Sequence, residues 1–229
     1  MKKRKIIRML FLFFFAISFL FSAMNLIHWN QENKMVKTIR EEEKIRIKVE
    51  KKEKYLDTNI LNDNDDTVGW IIVDGTDINY PVVKSKDNEY YLTHDFKKMK
   101  NSAGWIFMDY QNKWSDQNIV IYGHHRKDGS MFGSIDKLFD NKANNITITF
   151  ITTETSIKYQ VFSIYKISSK DNYIEKNFSN LEDMINKFRS RSERDFQQNA
   201  FHTTQIITLS TCHNNNIDRI VVHGYKKNN

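Results

Sequence analysis

The chain has very little cysteine, because Cys212 is the single thiol among 229 residues. One cysteine excludes an internal disulfide. An unpaired thiol in an exported protein is a liability unless it is buried or used chemically. Single cysteines are more often inert buried residues than nucleophiles. The residues around Cys212 must therefore decide between these two interpretations.

The net positive charge is small beyond the N-terminus. The net charge is +7, of which five charges lie in the first eight residues and only +2 remains for the rest. The five basic residues are Lys2, Lys3, Arg4, Lys5 and Arg8. No basic stripe is interleaved with aromatic residues, so the composition argues against a nucleic-acid partner.

The sequence also lacks a recognisable metal-binding pattern. The acidic run around Asp63, Asp65 and Asp66 has neither the glycine nor the terminal glutamate of an EF-hand loop. We therefore predict no metal and no cofactor.

One long hydrophobic run, Met9 to Ile27, follows the basic flank of residues 1–8. About 19 residues at roughly 1.5 Å each nearly cross a hydrocarbon core of about 30 Å. A cleaved signal peptide is the alternative, but its apolar core is usually shorter, and Ser22-Ala23-Met24 is a poor cleavage site. We predict an uncleaved transmembrane anchor over residues 9–27. Its basic flank stays in the cytoplasm, Trp29 lies at the interface and the C-terminal bulk lies outside.

Residues 28–65 are densely charged, and residues 30–57 contain neither glycine nor proline. Apolar residues recur there at roughly helical intervals, which predicts a helical stalk with an apolar stripe. These residues are Met35, Ile39, Ile45, Val49 and Leu56. A solvated spacer is the alternative for the first half of this segment. We place the start of the folded domain, residues 66–229, after the polar run that ends at Asp66.

Beyond Asp66 the apolar pattern shortens to that of β-strands. Eight short segments are rich in β-branched and aromatic residues and are separated by turns, which indicates a closed barrel or a sandwich. The predicted strands are Val68–Val73, Ile78–Val83, Trp105–Met108, Asn118–Tyr122, Ile146–Phe150, Lys158–Ile167, Gln205–Leu209 and Arg219–Gly224.

One long helix is predicted between the sixth and seventh strands. Ser179 and Glu182 have the spacing of an N-terminal capping box. The following apolar residues share one helical face. They are Leu181, Met184, Ile185 and Phe188.

Three side chains supply the parts needed for acyl transfer through a thioester. The thiolate of Cys212 attacks a carbonyl, a histidine such as His124 moves protons, and the cation of Arg219 stabilises negative charge on oxygen. His213 adjoins the cysteine and is a rival proton carrier, whereas His125 is expected to face away from His124 because neighbouring side chains on a strand alternate.

The motifs around these residues resemble the sortases, cysteine transpeptidases on the surface of Gram-positive bacteria, and among them class B. The resemblance extends from about Asp66 to Tyr225. The matching segments are Gly69-Trp70-Ile71, Tyr80-Pro81-Val82-Val83, Tyr122-Gly123-His124-His125, Asp128-Gly129-Ser130-Met131-Phe132, Thr208-Leu209-Ser210-Thr211-Cys212 and Arg219-Ile220-Val221-Val222-His223-Gly224. The chain departs from many class B members in its short connection between Cys212 and Arg219.

The resemblance implies an eight-stranded barrel and selects His124 as the catalytic histidine beside Cys212 and Arg219. It also implies that a long inserted helix walls the substrate groove and that no metal is used. The implied substrate-binding residues are Asn88, Leu92, Tyr173, Ile174 and Ser210.

The implied activity is cleavage of a C-terminal sorting signal, of the NPxTN or a related xPxTG kind, after its threonine. The acyl group then passes to an amine of the peptidoglycan precursor, lipid II, so the implied partners are this precursor and surface proteins that carry the signal. Two alternatives remain open: a secreted cysteine endopeptidase, and a non-catalytic binding module anchored at the membrane.

Overall fold

The computed structural model describes residues 2–44, 47–50, 53–168, 170–198, 200, 202–212 and 218–227. The chain divides into two compact units, Met1–Thr38 and Ile39–Asn229.

The first unit is helical and belongs to helix α1, which spans Lys2–Lys44. An apolar stretch of this helix is long enough to cross a membrane, and none of it is buried within the protein. Its phenylalanines are exposed, as in Phe13 and Phe19. The predicted apolar segment is therefore a continuous helix, and its insertion into a membrane stays a prediction.

The predicted helical stalk is wrong for residues 47–50 and 53–56. After α1, strands β1 (Ile47–Glu50) and β2 (Glu53–Leu56) form an antiparallel hairpin, and the short helix α2 (Ile60–Asp63) follows. Ile47 and Val49 alternate with charged residues, and this period of two competes with the helical spacing. The hairpin also gains a partner, because the amide of Leu56 donates to the carbonyl of Thr152 at 3.0 Å.

Eight further strands close into a barrel in the order β10-β8-β7-β3-β4-β5-β6-β9. Every predicted strand is confirmed, and the sandwich alternative is wrong. The strands are β3 (Thr67–Val73), β4 (Asn79–Val83), β5 (Phe107–Met108), β6 (Asn118–His124), β7 (Thr147–Ile151), β8 (Ser156–Ser168), β9 (Ile206–Cys212) and β10 (Asp218–Lys226). The β4–β5 and β6–β9 pairs are parallel, and the other barrel pairs are antiparallel.

The barrel core is aromatic and tightly filled. Trp70, Trp105 and Tyr80 are fully buried, and the rings of Tyr80 and Trp105 meet edge to face at 5.8 Å. Closure of the barrel gives each of its strands two neighbours, and β4 meets β5 at the single register pair Val83 and Phe107.

Helix α4 (Leu181–Arg191) lies between β8 and β9, where the sequence places it. Ile185 and Phe188 are buried in a cluster with residues of β8 and β10, and Leu181 and Met184 pack against it. The predicted capping box is displaced by one residue: Asn180 is the N-cap, and its side chain accepts from the amides of Glu182 and Asp183. An asparagine serves this role as well as a serine does, since both carry a short side-chain oxygen.

Two short elements complete the domain. A single turn of 3₁₀-helix covers Tyr90–Leu92, and helix α3 covers Lys137–Asp140. The 3₁₀-helix lies in the connection between β4 and β5, and α3 lies in the connection between β6 and β7.

Candidate active site

The strands β6, β9 and β10 bring the three predicted catalytic residues to one end of the barrel. In the parallel β6–β9 ladder, His124 is the register partner of Cys212, and both residues end their strands. On the other side of β9, β10 runs antiparallel and its Val221 pairs with Ser210. Arg219 lies two residues before Val221, as Cys212 lies two residues after Ser210, so the register brings Arg219 opposite Cys212.

The ring of His124 is held by a main-chain group. Its Nε2 lies 2.8 Å from the carbonyl oxygen of Leu92. A carbonyl only accepts, so Nε2 carries the proton and Nδ1 is left with its lone pair. Burial lowers the pKa of His124 below its ordinary value, and the positive charges of Arg126 and Arg219 act in the same direction. The imidazole is therefore neutral near pH 7 and ready to accept a proton.

Gly104 packs closely against the ring of His124. It has a φ of +58°, and a Cβ there would lie 2.6 Å from the carbonyl oxygen of Tyr91 and 2.9 Å from both Cδ2 of His124 and the carbonyl oxygen of Leu92. Only glycine combines this left-handed backbone with such a close approach. Gly104 was not among the residues predicted from the sequence, although a glycine just before the predicted strand at Trp105 is a signal for a close contact.

Two other histidines, His125 and His223, have their own partners away from His124. His125 points away from His124, as predicted, and its Nε2 lies 2.7 Å from a carboxylate oxygen of Asp136. His223 is fully buried, its Nε2 lies 2.8 Å from the hydroxyl oxygen of Tyr165, and its ring stacks on Phe188. The rival His213 lies outside the described residues.

Arg219 has an unused donor. Its backbone pairs with Ile167 of β8, and its Nη1 atom is buried with no hydrogen-bond partner among the residues that the structure describes. A buried guanidinium nitrogen without an acceptor is costly, and a substrate oxygen would satisfy it. The buried, unpartnered Nη1 argues against the alternative that this nitrogen serves a surface ion pair.

The predicted substrate-binding residues divide into two groups. Leu92 reaches His124 through its carbonyl. Tyr173, which precedes α4, is buried with Ser210 of β9, and their hydroxyl oxygens lie 2.9 Å apart. Ile174 packs against the same cluster as α4. Tyr173 and Ser210 therefore join the segment before α4 to the strand of Cys212.

Asn88 is hydrogen-bonded to a buried carboxylate, that of Asp109. Its Nδ2 donates to Asp109 at 3.0 Å, and its Oδ1 accepts from the amide of Tyr110. Asp109 also accepts from the hydroxyl of Tyr122 on β6 and lies 3.3 Å from Nζ of Lys176. Asp109 thus connects the loop of Asn88, strand β6 and the segment before α4. The sequence offered no signal for it, because its neighbours in the chain do not show what it contacts.

Within the described part of the chain, no three histidine, cysteine or acidic side chains are grouped so that they could hold a metal ion. The site that the structure assembles consists of organic acid–base and cationic groups.

Comparison with known proteins agrees with this fold and site. The model of the Sortase domain family matches residues 71–227, so the chain belongs to the sortase family. Sortase B of Listeria monocytogenes is 38% identical over 156 residues, which cover 65% of this chain and 63% of the relative. Sortase B of Staphylococcus aureus is 36% identical over 156 residues, with 65% and 64% covered.

A crystal structure of sortase B from B. anthracis in complex with AAEK1 superimposes with a TM-score of 0.72 at 29% identity, covering 87% of this chain and 99% of that one. Within the family, the chain is a class B sortase. The matched segments span just under two thirds of the length of the two curated relatives.

Proposed function

We propose that this chain is a membrane-anchored cysteine transpeptidase that joins surface proteins to the peptidoglycan precursor. The observation that carries the proposal is the register of β6, β9 and β10, which brings His124, Cys212 and Arg219 together. The assignment of the three catalytic roles forms part of this proposal.

The first half-reaction cleaves the sorting signal. Nδ1 of His124 takes the thiol proton of Cys212, and the thiolate attacks the carbonyl carbon of the threonine. Arg219 donates to the oxygen that becomes negative in the tetrahedral intermediate. The C–N bond then breaks as Nδ1 of the imidazolium returns a proton to the leaving amine. The product is an acyl-thioester on Cys212.

The carbonyl of Leu92 supports this proton transfer. It accepts from Nε2 of His124 in the neutral ring and continues to do so in the imidazolium, where the hydrogen bond raises the pKa against the effect of burial. It also leaves Nδ1 as the nitrogen that exchanges protons.

The second half-reaction transfers the acyl group. An amine of lipid II attacks the thioester carbon, the C–S bond breaks and a new amide forms. His124 removes the proton that the amine loses, and Cys212 is regenerated. This two-step exchange is ping-pong chemistry.

The N-terminal helix would keep the enzyme at the membrane, where lipid II and exported proteins are found. The basic flank of residues 1–8 faces the cytoplasm and the barrel lies outside. Labelling of Cys212 on intact cells by a membrane-impermeant thiol reagent tests this topology, and labelling only after lysis contradicts it.

The chemistry is tested by mass spectrometry of the purified domain mixed with peptides of the NPxTN and xPxTG kinds, with and without an amine acceptor. We expect an acyl adduct on Cys212, cleavage after threonine and a transfer product when amine is present. Cys212→Ala is the matched control, since it removes only the sulfur.

Each alternative has its own outcome in this experiment. Hydrolysis that continues unchanged in the presence of amine indicates an endopeptidase. A folded domain that forms no adduct with any peptide indicates a binding module. Turnover by Cys212→Ala contradicts the nucleophile.

A further inference from the structure

Two of the sortase-like segments, those of Tyr80 and Met131, contain no catalytic residue, and the fold joins them by one buried hydrogen bond. Tyr80 lies in β4, and Met131 lies in the connection between β6 and β7. The hydroxyl oxygen of Tyr80 accepts from the backbone amide of Met131 at 3.2 Å, and both residues are fully buried. Neither residue takes part in the proposed half-reactions.

Met131 has a backbone conformation that needs support. Its φ is +52°, in the left-handed region that residues other than glycine rarely adopt. Such a conformation persists where the surrounding structure holds it. The hydroxyl oxygen of Tyr80 is itself held in place, because Nη1 of Arg40 also donates to it, at 3.3 Å. Loss of this oxygen would leave the buried amide of Met131 without the acceptor that the structure gives it.

The residue after Met131 is bonded to the catalytic histidine. The amide of Phe132 donates to the carbonyl oxygen of His124 at 3.0 Å, and His125 pairs with Met131 in an isolated antiparallel bridge. The ring of Phe132 also lies against Gly123, where a Cβ would come within 2.9 Å of it. The conformation of Met131 therefore sets the position of Phe132, and Phe132 holds the end of β6 that carries His124.

Tyr80 is connected to His124 by a second route, through its ring. The ring meets that of Trp105 edge to face, with centroids 5.8 Å apart. Nε1 of Trp105 donates to the carbonyl oxygen of Pro81, the residue after Tyr80, at 2.9 Å. Gly104, which precedes Trp105, packs against the ring of His124. The backbone and the ring of His124 are therefore supported by two segments that meet at Tyr80.

We propose that Tyr80 is a positioning residue for His124 in the acylation step. Its hydroxyl fixes Met131 and, through Phe132, the end of β6. This inference rests on the proposed function, because it takes His124 as the proton carrier. Tyr80 is fully buried, so it acts on the rate of the chemical step and not by contact with a bound peptide. A displacement of about 1 Å in a reacting group can cost about 100-fold in rate.

The test compares Tyr80→Phe with the parent in the full chain, purified in detergent. The variant loses one oxygen atom and keeps the ring against Trp105. In single-turnover reactions with a sorting peptide, we expect the maximal rate of thioester formation to fall about tenfold. The peptide concentration that gives half of this rate should stay within about twofold of the parent value, because substrate binding is unchanged.

Tyr159→Phe is the matched control. Tyr159 is also a fully buried tyrosine of the barrel, and its hydroxyl donates to Oε1 of Gln205 at 2.8 Å. Gln205 immediately precedes β9, and Cys212 ends that strand, so this hydrogen bond lies at the end of the barrel opposite the catalytic residues. Each variant loses one buried hydrogen bond, and we expect similar falls in melting temperature. Only Tyr80→Phe should lose acylation.

Hydrogen exchange at single-residue resolution gives a readout that does not depend on activity. In the parent, the amide of Phe132 should exchange much more slowly than that of Lys127, an exposed residue of the same connection. Its exchange should become about tenfold faster in Tyr80→Phe and stay unchanged in Tyr159→Phe. This amide is chosen because it donates to His124 and not to the oxygen that the variant removes.

The outcomes distinguish this inference from the proposed function. Equal acylation by the parent and Tyr80→Phe, an equal loss in Tyr159→Phe, or a change in the half-saturating peptide concentration alone overturns the inference and leaves the proposed function standing. If the parent forms no thioester with any sorting peptide, the proposed function fails, and the exchange of the Phe132 amide decides whether Tyr80 supports the end of β6. If Tyr80→Phe does not fold, slow exchange of this amide in the parent supports the inference, and exchange as fast as that of Lys127 overturns it.

Discussion

His124 and Cys212 are register partners in the parallel ladder between β6 and β9, and each is the last residue of its strand. Neighbouring strands lie about 4.8 Å apart, so the backbones of the two residues are fixed at short range by sheet hydrogen bonds and not by a flexible loop. Residues 118 and 124 of β6 bound a seven-residue ladder with β9, which sets this register along its whole length. A site built on rigid strands holds its geometry better than one built on loops.

The first prediction concerns the two adjacent histidines. His124→Ala should lower the rate of acylation by about 10²–10⁴-fold, because general acid–base catalysis contributes that much. His125→Ala is the matched control: it removes the same ring from the next position, where the partner is Asp136. Its acylation rate should stay close to that of the parent. Single-turnover kinetics with a sorting peptide measure both.

Two results would contradict this assignment. One is an active His124→Ala enzyme. The other is an inactive His213→Ala enzyme, which would make the neighbour of Cys212 the proton carrier.

The second prediction tests the close contact between Gly104 and the ring of His124. In Gly104→Ala the new methyl group meets Cδ2 of His124 and the carbonyl of Leu92, both at 2.9 Å, so the ring and its hydrogen bond must shift. We expect kcat to fall by at least tenfold. Gly129→Ala is the matched control, because Gly129 has a similar positive φ of +78° but nothing within 4 Å of the added Cβ.

Both glycine variants carry the backbone strain of alanine in the left-handed region, about 1–2 kcal/mol. Gly104→Ala also meets the main-chain carbonyl oxygen of Tyr91 at 2.6 Å, so its melting temperature should fall further than that of Gly129→Ala, and kcat is compared at a temperature where both variants are folded. A kcat loss in Gly104→Ala alone then supports the contact with His124. Equal kcat in the two variants would show that the contact with His124 has no catalytic consequence.

Much of the fold could be predicted from the sequence because short strands leave a local signal. Short segments rich in β-branched and aromatic residues, separated by turns, located all eight barrel strands, although β8 begins two residues earlier than predicted and β9 extends three residues further, to Cys212. Closure of the barrel is different, since it depends on pairs distant in sequence, such as β10 with β8 and β6 with β9. Periodicity carries no information on such pairs, and only the resemblance to sortases chose the barrel over the sandwich.

The candidate site shows the same division. Cys212, His124 and Arg219 have reactive side chains in recognisable motifs, so they could be predicted as site residues from the sequence. The carbonyl of Leu92 that holds His124 is a main-chain group, which every residue possesses. Asp109 contacts Asn88, Tyr122 and Lys176, which are distant in sequence and are brought together only by the fold. The pairing of residues 47–50 with 53–56 was not predicted, because the charged residues of this segment also fit a helix.

The third prediction is a pH dependence that arises from His223. Burial lowers the pKa of this histidine from 6.5 to about 3, and the charge of Arg191 adds to the effect. Between these two pH values the unfolded chain binds a proton at His223 that the folded protein does not. The free energy of unfolding should therefore fall as the pH falls through this window, by at most about 1.4 kcal/mol per pH unit.

His223→Gln removes this proton and keeps a polar side chain near Thr208 and Tyr165. Because carboxyl groups also titrate in this range, the measured quantity is the difference between parent and variant in urea unfolding from pH 7 to pH 4. The stability of the parent should fall more steeply. An NMR titration of the parent provides a second check, and a His223 ring that protonates near pH 6.5 would refute the prediction.

The last prediction concerns Arg219 and separates the geometry of its donors from its charge. Arg219→Lys keeps a positive charge but loses the planar fork, so the unused Nη1 donor cannot be reproduced at the same place. Loss of one oxyanion donor costs about 10²–10³ in rate, and we expect acylation to fall by that factor in Arg219→Lys and at least as far in Arg219→Ala. Arg194→Lys is the control: Arg194 donates to the carbonyls of Leu138 and Ala143, so its replacement should lower stability and leave acylation intact. Near-normal acylation by Arg219→Lys would mean that a point charge suffices, whereas unfolding of Arg219→Ala would assign the arginine to the structure of the barrel. A folded Arg219→Lys protein with a reactive thiol and little thioester is the result that places the guanidinium on the oxyanion.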